Sequence, residues 1–564
     1  MFRGPSVACR GLWWSRSGRY LAFIRIDDHR VPLIQYPLFE HQQYPTMNKI
    51  PYPKTGVKHL PEVTVHIWDK KTRIVRQMDI TLRDKSLATY LFSGSWISLY
   101  GEDLFVAVFA NRYQNITSIT LCTFDSGKCV LVRLHFSFKK KTVITPLKIK
   151  NFDQYYGIDR HRLWAEPENH RIQHFSNDSY FVCLPGKSAN GEIFTQVARV
   201  TVPRNLTNGR AVLITSGNYD VTSINGYNPK TGLVYFMAAS PLPSQRHLYA
   251  TSHHAAKIDS PAKCVTCGVA PECTFQDVMF SRDADQYILS CRGPGVPRAF
   301  LSSISSNNSL TEELTDWKKL EQKYNEKALA TARYENVTLS SGYGKHCYHP
   351  ESRCKVAKVK MLLPPGFDQG SLDARFPVIV SVYAGPGSQK VTEEVTPNTL
   401  DMFLASNTKY IVVYIDGRGS GMRGWKYKEP VYGRLGTVEI DDQIETMKYT
   451  SETLYKQFFV VVKLQRFLWF FRILAAKHRF IDSKRIGIWG WMPLTRSVTW
   501  AMHRSLHTKE RILFAIIMLI YVCDPRNYHF TDNVHLQNSA ELIRALGEEN
   551  IQFQLMVCRF FHLN

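Results

Sequence analysis

Phe376-Pro377-Val378-Ile379-Val380-Ser381-Val382-Tyr383 is an apolar run that ends in the glycine-rich turn Ala384-Gly385-Pro386-Gly387. A strand covered on both faces has no polar side to show, so it reads as a continuous run and not as an alternation. Tyr410-Ile411-Val412-Val413-Tyr414-Ile415 repeats this pattern and runs into Asp416-Gly417-Arg418-Gly419, and Arg485-Ile486-Gly487-Ile488-Trp489-Gly490-Trp491 repeats it again. Helix-like segments follow the runs. The combination predicts a parallel sheet with helices on its faces and with its chemistry at the carboxyl ends of the strands. One helix-like segment, Val438-Glu439-Ile440-Asp441-Asp442-Gln443-Ile444-Glu445, carries acids mostly on one side, which reads as a solvated face.

Upstream the texture differs. From about residue 10 to 335 the chain is a series of short β-like runs broken by Gly, Asn, Asp and Pro, with almost no helical periodicity, and this predicts an all-β region. Trp14-Ser15-Arg16-Ser17-Gly18-Arg19-Tyr20-Leu21-Ala22 recurs loosely as Phe280-Ser281-Arg282-Asp283-Ala284-Asp285-Gln286-Tyr287-Ile288-Leu289. Similar strand, turn and strand units lie at residues 63–76 and 227–235. Repeated four-stranded units of this kind predict β-propeller blades, with an array of β-sandwiches as the alternative.

At 564 residues, 44% hydrophobic and 21% charged, the chain is globular with at least two domains; disordered, fibrous and membrane-embedded classes are excluded. Lys and Arg number 71 against 48 Asp and Glu, a formal charge of +23. Such an excess favours acidic partners. Its longest run is only residues 139–141, however, and the rest is scattered, so the reading is a solvated basic surface and no nucleic-acid partner. No apolar leader follows Met1 and no uninterrupted span reaches membrane length. Residues 458–476 are broken by Lys463, Arg466 and Arg472, and the apolar run at 512–522 is too short.

Twelve cysteines are present. Cys264, Cys267, Cys273 and Cys291 crowd into one stretch, where a zinc site competes with disulfides. The second pair is not a C-x-x-C and no His lies between its members, so bridges Cys264 to Cys267 and Cys273 to Cys291 fit better, and no metal is expected. Cys122 and Cys129 flank the turn Phe124-Asp125-Ser126-Gly127-Lys128, a setting for a third bridge across a hairpin. The remaining six cysteines, Cys183 among them, read as buried or stray thiols. Five N-x-[ST] sequons, at Asn115, Asn177, Asn205, Asn307 and Asn336, are candidate glycosylation sites. With the cysteines they point to an oxidising compartment and to an export segment that this chain does not carry.

Several phrases resemble the dipeptidyl peptidase IV and fibroblast activation protein branch of the prolyl oligopeptidase family of serine peptidases. They are Val382-Tyr383-Ala384-Gly385-Pro386-Gly387-Ser388-Gln389, Asp416-Gly417-Arg418-Gly419-Ser420-Gly421, Arg434-Leu435-Gly436-Thr437-Val438-Glu439, Arg485-Ile486-Gly487-Ile488-Trp489-Gly490-Trp491 and Asp532-Asn533-Val534-His535-Leu536-Gln537-Asn538-Ser539-Ala540. Upstream, Leu12-Trp13-Trp14-Ser15, Val31-Pro32-Leu33-Ile34 and Pro51-Tyr52-Pro53-Lys54 extend the likeness, and the family places disulfides where the Cys264/Cys267 and Cys273/Cys291 pairs fall.

The resemblance implies a mixed fold: an incomplete propeller over residues 1–335, then an α/β-hydrolase domain over 336–564, interrupted near 451–478 and 492–530 and truncated at its C-terminus. It implies removal of X-Pro or X-Ala dipeptides from free N-termini, with no cofactor. The partners it implies are peptides with penultimate Pro or Ala and a second copy in a homodimer. It also implies an extracellular or plasma-membrane setting, through an anchor absent from this chain.

Carried over residue by residue, Tyr383 is the oxyanion donor and Asn533 the partner of the substrate carbonyl. The nucleophile is not retained. Where the family has Gly-Trp-Ser-Tyr-Gly, this chain reads Gly490-Trp491-Met492-Pro493-Leu494, so Met492 occupies the serine's place with no proton to lose and no nucleophilic oxygen. Thr531 stands where the triad acid belongs, and His562 falls one position short of the triad histidine. The Glu-Glu pair that reads the substrate amino group would lie just upstream of Phe2. Three expectations follow: a serine exopeptidase class whose triad is not intact in this chain, a non-catalytic binding or auxiliary membrane-protein partner, or a mis-spliced or mispredicted, non-functional product without a stable fold. Because the disruptions at 451, 492, 505 and 561 fall abruptly beside intact motifs, exon-level alteration is favoured.

Overall fold

The computed structural model describes residues 11–38, 43–81, 89–136 and 164–339 (with short breaks at 177, 189, 207, 255–260, 271, 305–309 and 316), then 356–367, 375–395, 399–447 and 480–490, with single positions at 544, 547 and 548.

Up to residue 313 the described chain folds as successive small sheets, each an antiparallel meander of neighbouring strands. The first joins Leu12–Trp14, Tyr20–Asp27, Glu62–Asp69 and Val75–Gln77, with the hairpin Leu33–Leu38 and Thr46–Pro51 inserted after its second strand. Two sheets gain a fifth strand from the segment leaving the sheet before. Asp79–Thr81 pairs in parallel with Lys128–Leu131, and Arg133–Phe136 pairs in parallel with Asn208–Leu213. The added strand covers an edge that would otherwise be open to pairing with another chain.

The internal repeat in the sequence is a repeated turn. Ser15 N–H donates to Tyr20 O at 2.8 Å and Ser15 Oγ accepts from Tyr20 N–H at 3.1 Å; Ser281 and Gln286 make the same two bonds at 2.9 and 3.2 Å. Gly18 (φ 69°) and Ala284 (φ 49°) occupy the same left-handed position in the two turns. Ala tolerates that region far less readily than Gly, so the turn geometry and not the residue type is what repeats.

Glu102–Ala110 is buried along almost its whole length, which period-two alternation does not explain. The packing does. Phe105, Ala107 and Phe109 face Tyr20, Val65 and Ile67 of the first sheet, while Leu104, Val106 and Val108 face Tyr180, Val182 and Leu184 of the third. The next interfaces follow the same rule: Phe181 and Cys183 meet Val234 and Phe236, and Tyr235 and Met237 meet Val278 and Leu289. Successive sheets are therefore stacked face on face, and inner strands lose their polar side because both faces are covered.

The C-terminal sheet is of another kind. Its order is Thr331–Thr338, Val356–Leu363, Ile411–Asp416, Phe376–Val382, Ile481–Gly490. The first pairings are antiparallel, and the last three strands are mutually parallel, as the apolar runs predicted. One face packs Val359, Met361, Val378, Val380, Ile411 and Val413 together. The other is covered by the helix Leu400–Ser406, whose Met402 and Ala405 meet Val412 and Tyr414; Thr399 caps this helix by accepting from Met402 N–H at 3.2 Å.

Two sequence expectations are adjusted. The region before residue 335 is not all-β, because Trp317–Asn325 is a helix. Beyond it, Thr331–Thr338 pairs along its whole length with Val356–Leu363 in the C-terminal sheet. The acids of the helix Val438–Met447 do not form one solvated face: Asp441 is exposed, but Glu439 and Asp442 are fully buried. Asp442 pairs with Arg418, and Glu439 turns back to accept from the Gly436 and Thr437 amides at the helix start. A periodicity argument sees only one helix and misses a cation supplied by a distant turn.

Candidate active site

Tyr383 is the first residue after Phe376–Val382. The neighbouring parallel strand ends in register, with Val382 opposite Gly490. The carboxyl ends of these two strands and of Ile411–Asp416 thus converge on one edge, where open α/β sheets place their ligands.

Tyr383 is half-buried, and Lys390 Nζ sits 5.6 Å from its ring centroid and 5.9 Å from that of Tyr414. A Cβ on Gly385 would lie 3.6 Å from the Tyr383 hydroxyl, so the turn runs directly beneath the phenol. A phenol held at such an edge can donate its proton to a negative charge developing there.

Two loops are zipped together behind the tyrosine. Gly387 N–H donates to Gly419 O at 2.8 Å and Gly421 N–H to Ser388 O at 2.9 Å. A Cβ on Gly421 would stand 2.4 Å from Gly387 O, which is why a glycine is needed at that crossing. Asp416, at the end of its strand, accepts from Lys390 N–H at 3.0 Å and Val391 N–H at 2.8 Å. Burial pushes its carboxyl up to about 6, against the lowering effect of those amides. Arg418 and Asp442 form a buried pair in which the Asp442 carboxylate takes both the Arg418 amide and its guanidinium.

This edge faces the stacked small sheets, and the seam is polar. Asp220, 7% exposed, accepts from Thr195 N–H and Gly424 N–H, both at 2.8 Å, and burial raises its pKa. Glu166 pairs with Lys428 and also approaches Gly387, while Lys428 Nζ lies 4.9 Å from the Trp164 ring. Farther along, Arg246 donates to Gln389 Oε1 at 2.6 Å, and Glu393 accepts from Ser244 Oγ at 2.8 Å and Gln245 Nε2 at 3.1 Å. Sequence reasoning did not single out these residues. The available signal was an isolated acid among apolar neighbours, as at Tyr219-Asp220-Val221, but nothing local names its partner.

The six expected bridge cysteines are joined as Cys122–Cys129, Cys264–Cys267 and Cys273–Cys291. Cys122 and Cys129 are directly opposite in their hairpin. Cys183 is a free buried thiol, pushed up to about 12 by burial, and is inert for that reason. Of the sequons, Asn205 and Asn336 are exposed, the latter accepting from Lys358 Nζ at 2.6 Å. Asn115 is half-buried and accepts from Asn111 Nδ2 at 2.8 Å. Met492, Thr531, Asn533, His562, Asn177 and Asn307 lie outside the described residues, as do the segments 139–141, 458–476 and 512–522. Among the described residues no helix is long and apolar enough to cross a membrane.

The family described as "Dipeptidyl peptidase IV (DPP IV) N-terminal region" matches residues 8–298, just over half of the 564-residue chain, and the "Prolyl oligopeptidase family" matches residues 398–457. Dipeptidyl peptidase family member 1 of Caenorhabditis elegans is 29% identical over 97% of this chain and 66% of its own length. Dipeptidyl peptidase 4 of Sus scrofa is 27% identical over 97% and 68%. The chain thus spans about two thirds of the length of these curated relatives. The crystal structure of Porphyromonas gingivalis dipeptidyl peptidase 4 superposes with a TM-score of 0.69 at 20% identity, covering 97% of this chain and 70% of that one, and its likeness is one of fold. Stacked small sheets joined to a parallel-centred sheet fit a propeller and hydrolase arrangement, and with the family matches they show that the chain belongs to the dipeptidyl peptidase IV branch of the prolyl oligopeptidase family.

Proposed function

We propose that this chain is a dipeptidyl peptidase IV-type protein whose peptidase chemistry is lost or severely reduced. In this reading the stacked meanders are blades of an incomplete propeller, and an α/β-hydrolase domain begins near Thr331. One observation carries the proposal. Gly490 ends its strand level with Val382, one residue before Tyr383, and the sequence then continues Trp491-Met492 where the family's chemistry needs a serine. A thioether has no proton to give to a base and forms no acyl intermediate, so Tyr383 retains an oxyanion-donor position without a nucleophile to serve. Thr531 and His562, at the acid and near the histidine positions, do not rebuild a triad without it.

Losing the triad serine costs on the order of a million-fold in turnover. The test is release of chromophore from a Gly-Pro substrate by the purified full chain. No release above the buffer blank is expected. Turnover at the level of an intact peptidase, abolished by a serine-directed reagent, overturns the proposal.

A second reading is a non-catalytic binding protein for peptides with an N-terminal X-Pro or X-Ala, or an auxiliary partner of a membrane protein. It is favoured by the polar seam of Asp220, Glu166, Gln389 and Glu393, which holds the loop edge in place whatever stands at residue 492. The bridged cysteines and the exposed Asn205 and Asn336 fit an oxidising, extracellular setting with glycans at those asparagines.

A further inference from the structure

Away from the loop edge, the fourth meander carries a cluster that neither peptidase chemistry nor peptide binding uses. His247, Cys264 and Cys267 bring one potential ligand atom each to within 4.8 Å of one another. In the sequence the histidine stands 17 residues before the Cys264-Val265-Thr266-Cys267 motif. Pairing brings them together: His247–Ser252 runs antiparallel to Lys263–Cys264 with Tyr249 opposite Cys264, and His247, two residues before Tyr249, shares its face of the strand. We propose that thiol reduction of Cys264–Cys267 converts this bridge into a binding site for a thiophilic divalent cation of the zinc type, with His247, Cys264 and Cys267 as protein ligands.

Three further observations support the site. His247 is 3% exposed, and among the described residues its Nδ1 is a buried nitrogen with no hydrogen-bond partner of ordinary geometry, an unusual cost for a polar atom that a ligand would relieve. Cys267 N–H donates to Cys264 Sγ at 3.1 Å, so one backbone donor already stands at a ligand sulfur, and the Tyr249 hydroxyl, which donates to Ser240 Oγ, lies 3.9 Å from Cys267 Sγ. Finally, Cys267 is exposed and Cys264 half-buried, whereas Cys122, Cys129, Cys273 and Cys291 are at most 4% exposed, so a soluble thiol reaches this bridge first.

The chemistry balances. A dithiol gives two electrons and two protons to the bridge, yielding two cysteine thiols and a cyclic disulfide. The cation then displaces one proton from each thiol, releasing two protons per metal bound. Three protein ligands of the His-Cys-Cys kind leave a fourth position for water, the open form of a tetrahedral site.

Zinc ion alone is the probe, titrated into the full chain against a chromophoric chelator before and after mild dithiol treatment and removal of the reductant. Cobalt(II) substitution reports thiolate ligation by its absorption. The expected result is one zinc per reduced chain, none per oxidised chain, and release of two protons. His247→Gln and Cys267→Ser should each weaken binding by more than about a hundred-fold, beyond the loss of an outer-shell partner. Cys267→Ser changes an exposed residue and is informative even where His247→Gln does not fold. Zinc uptake that ignores the redox state, or that both variants retain, overturns the site.

Discussion

Glu102–Ala110 and Phe376–Val382 look alike in sequence, since each is an almost unbroken apolar strand, yet they are buried by different means. The first pairs with Tyr90–Leu99 and Thr117–Thr123, its immediate neighbours in the chain, and gains its second covered face because whole sheets stack. The second pairs with Ile411–Asp416 and Ile481–Gly490, strands reached only through long crossovers; one of its faces joins the core of the C-terminal sheet, and on the other Ser381 donates to Asp401 of the helix that packs on Ile411–Asp416. A continuous apolar run therefore reports that both faces are covered and says nothing of what covers them. The difference has a consequence for stability: the stacked sheets are built from local hairpins, while the parallel trio depends on contacts that close late and hold only if distant partners survive.

The strongest way to break this comparison is to damage one region and watch the other. Asp442→Ala strands the buried Arg418 guanidinium, at a cost of about 3–5 kcal/mol. Phe105→Ala opens a cavity between the first two sheets, where Trp13, Trp96 and Phe105 are packed, at a similar cost of about 3–5 kcal/mol. In denaturant titrations read by hydrogen exchange, the first change should lower protection at residues 411–416 and the second at residues 102–110. A uniform drop across both regions from either variant shows a single cooperative unit.

A middle-sized effect tests how much the local sheets rely on covalent closure. Replacing Cys122 and Cys129 together by Ala removes a short loop closure of about 2–3 kcal/mol. The loss should appear as a lower midpoint for the stacked sheets alone. Comparable in size, Asp220→Ala leaves the Thr195 and Gly424 amides without their acceptor, about 1–3 kcal/mol for each buried donor. Faster exchange should follow at 195 and 424 on the two sides of the seam; a change on one side only means the seam does not couple the regions.

The smallest effect is a pH signature that differs between the regions. Asp416, raised to about 6, contributes stability that is complete below about 4 and lost as pH rises through 6, because the native state holds its proton longer than the unfolded chain. Asp69, in the first sheet, is lowered to about 2 by its hydrogen bond from Arg19, so its contribution is present above about 4 and lost as pH falls through 2. Thermal melts of Asp416→Asn against the parent between pH 4 and 7 should remove the first slope, and Asp69→Asn between pH 2 and 5 the second. Equal slopes in parent and variant would show that neither carboxyl is the titrating group.

Much was legible without coordinates. The strand runs, the serine turns at Ser15 and Ser281, the parallel character of the C-terminal strands and the hairpin bridge of Cys122 and Cys129 all rest on residues close in sequence, where periodicity and spacing carry the information. So does the replacement at Met492, since the motif around it can be read letter by letter. What only the tertiary structure decided is where charge goes. Glu439 and Asp442 read as a wet helix face and are buried; Asp416 reads as part of a turn and is enclosed by two amides; His247 belongs to no sequence motif and stands beside a cystine. A buried polar group is tolerated only with its partners, and here several of those partners come from distant parts of the chain, so no local pattern could have named them.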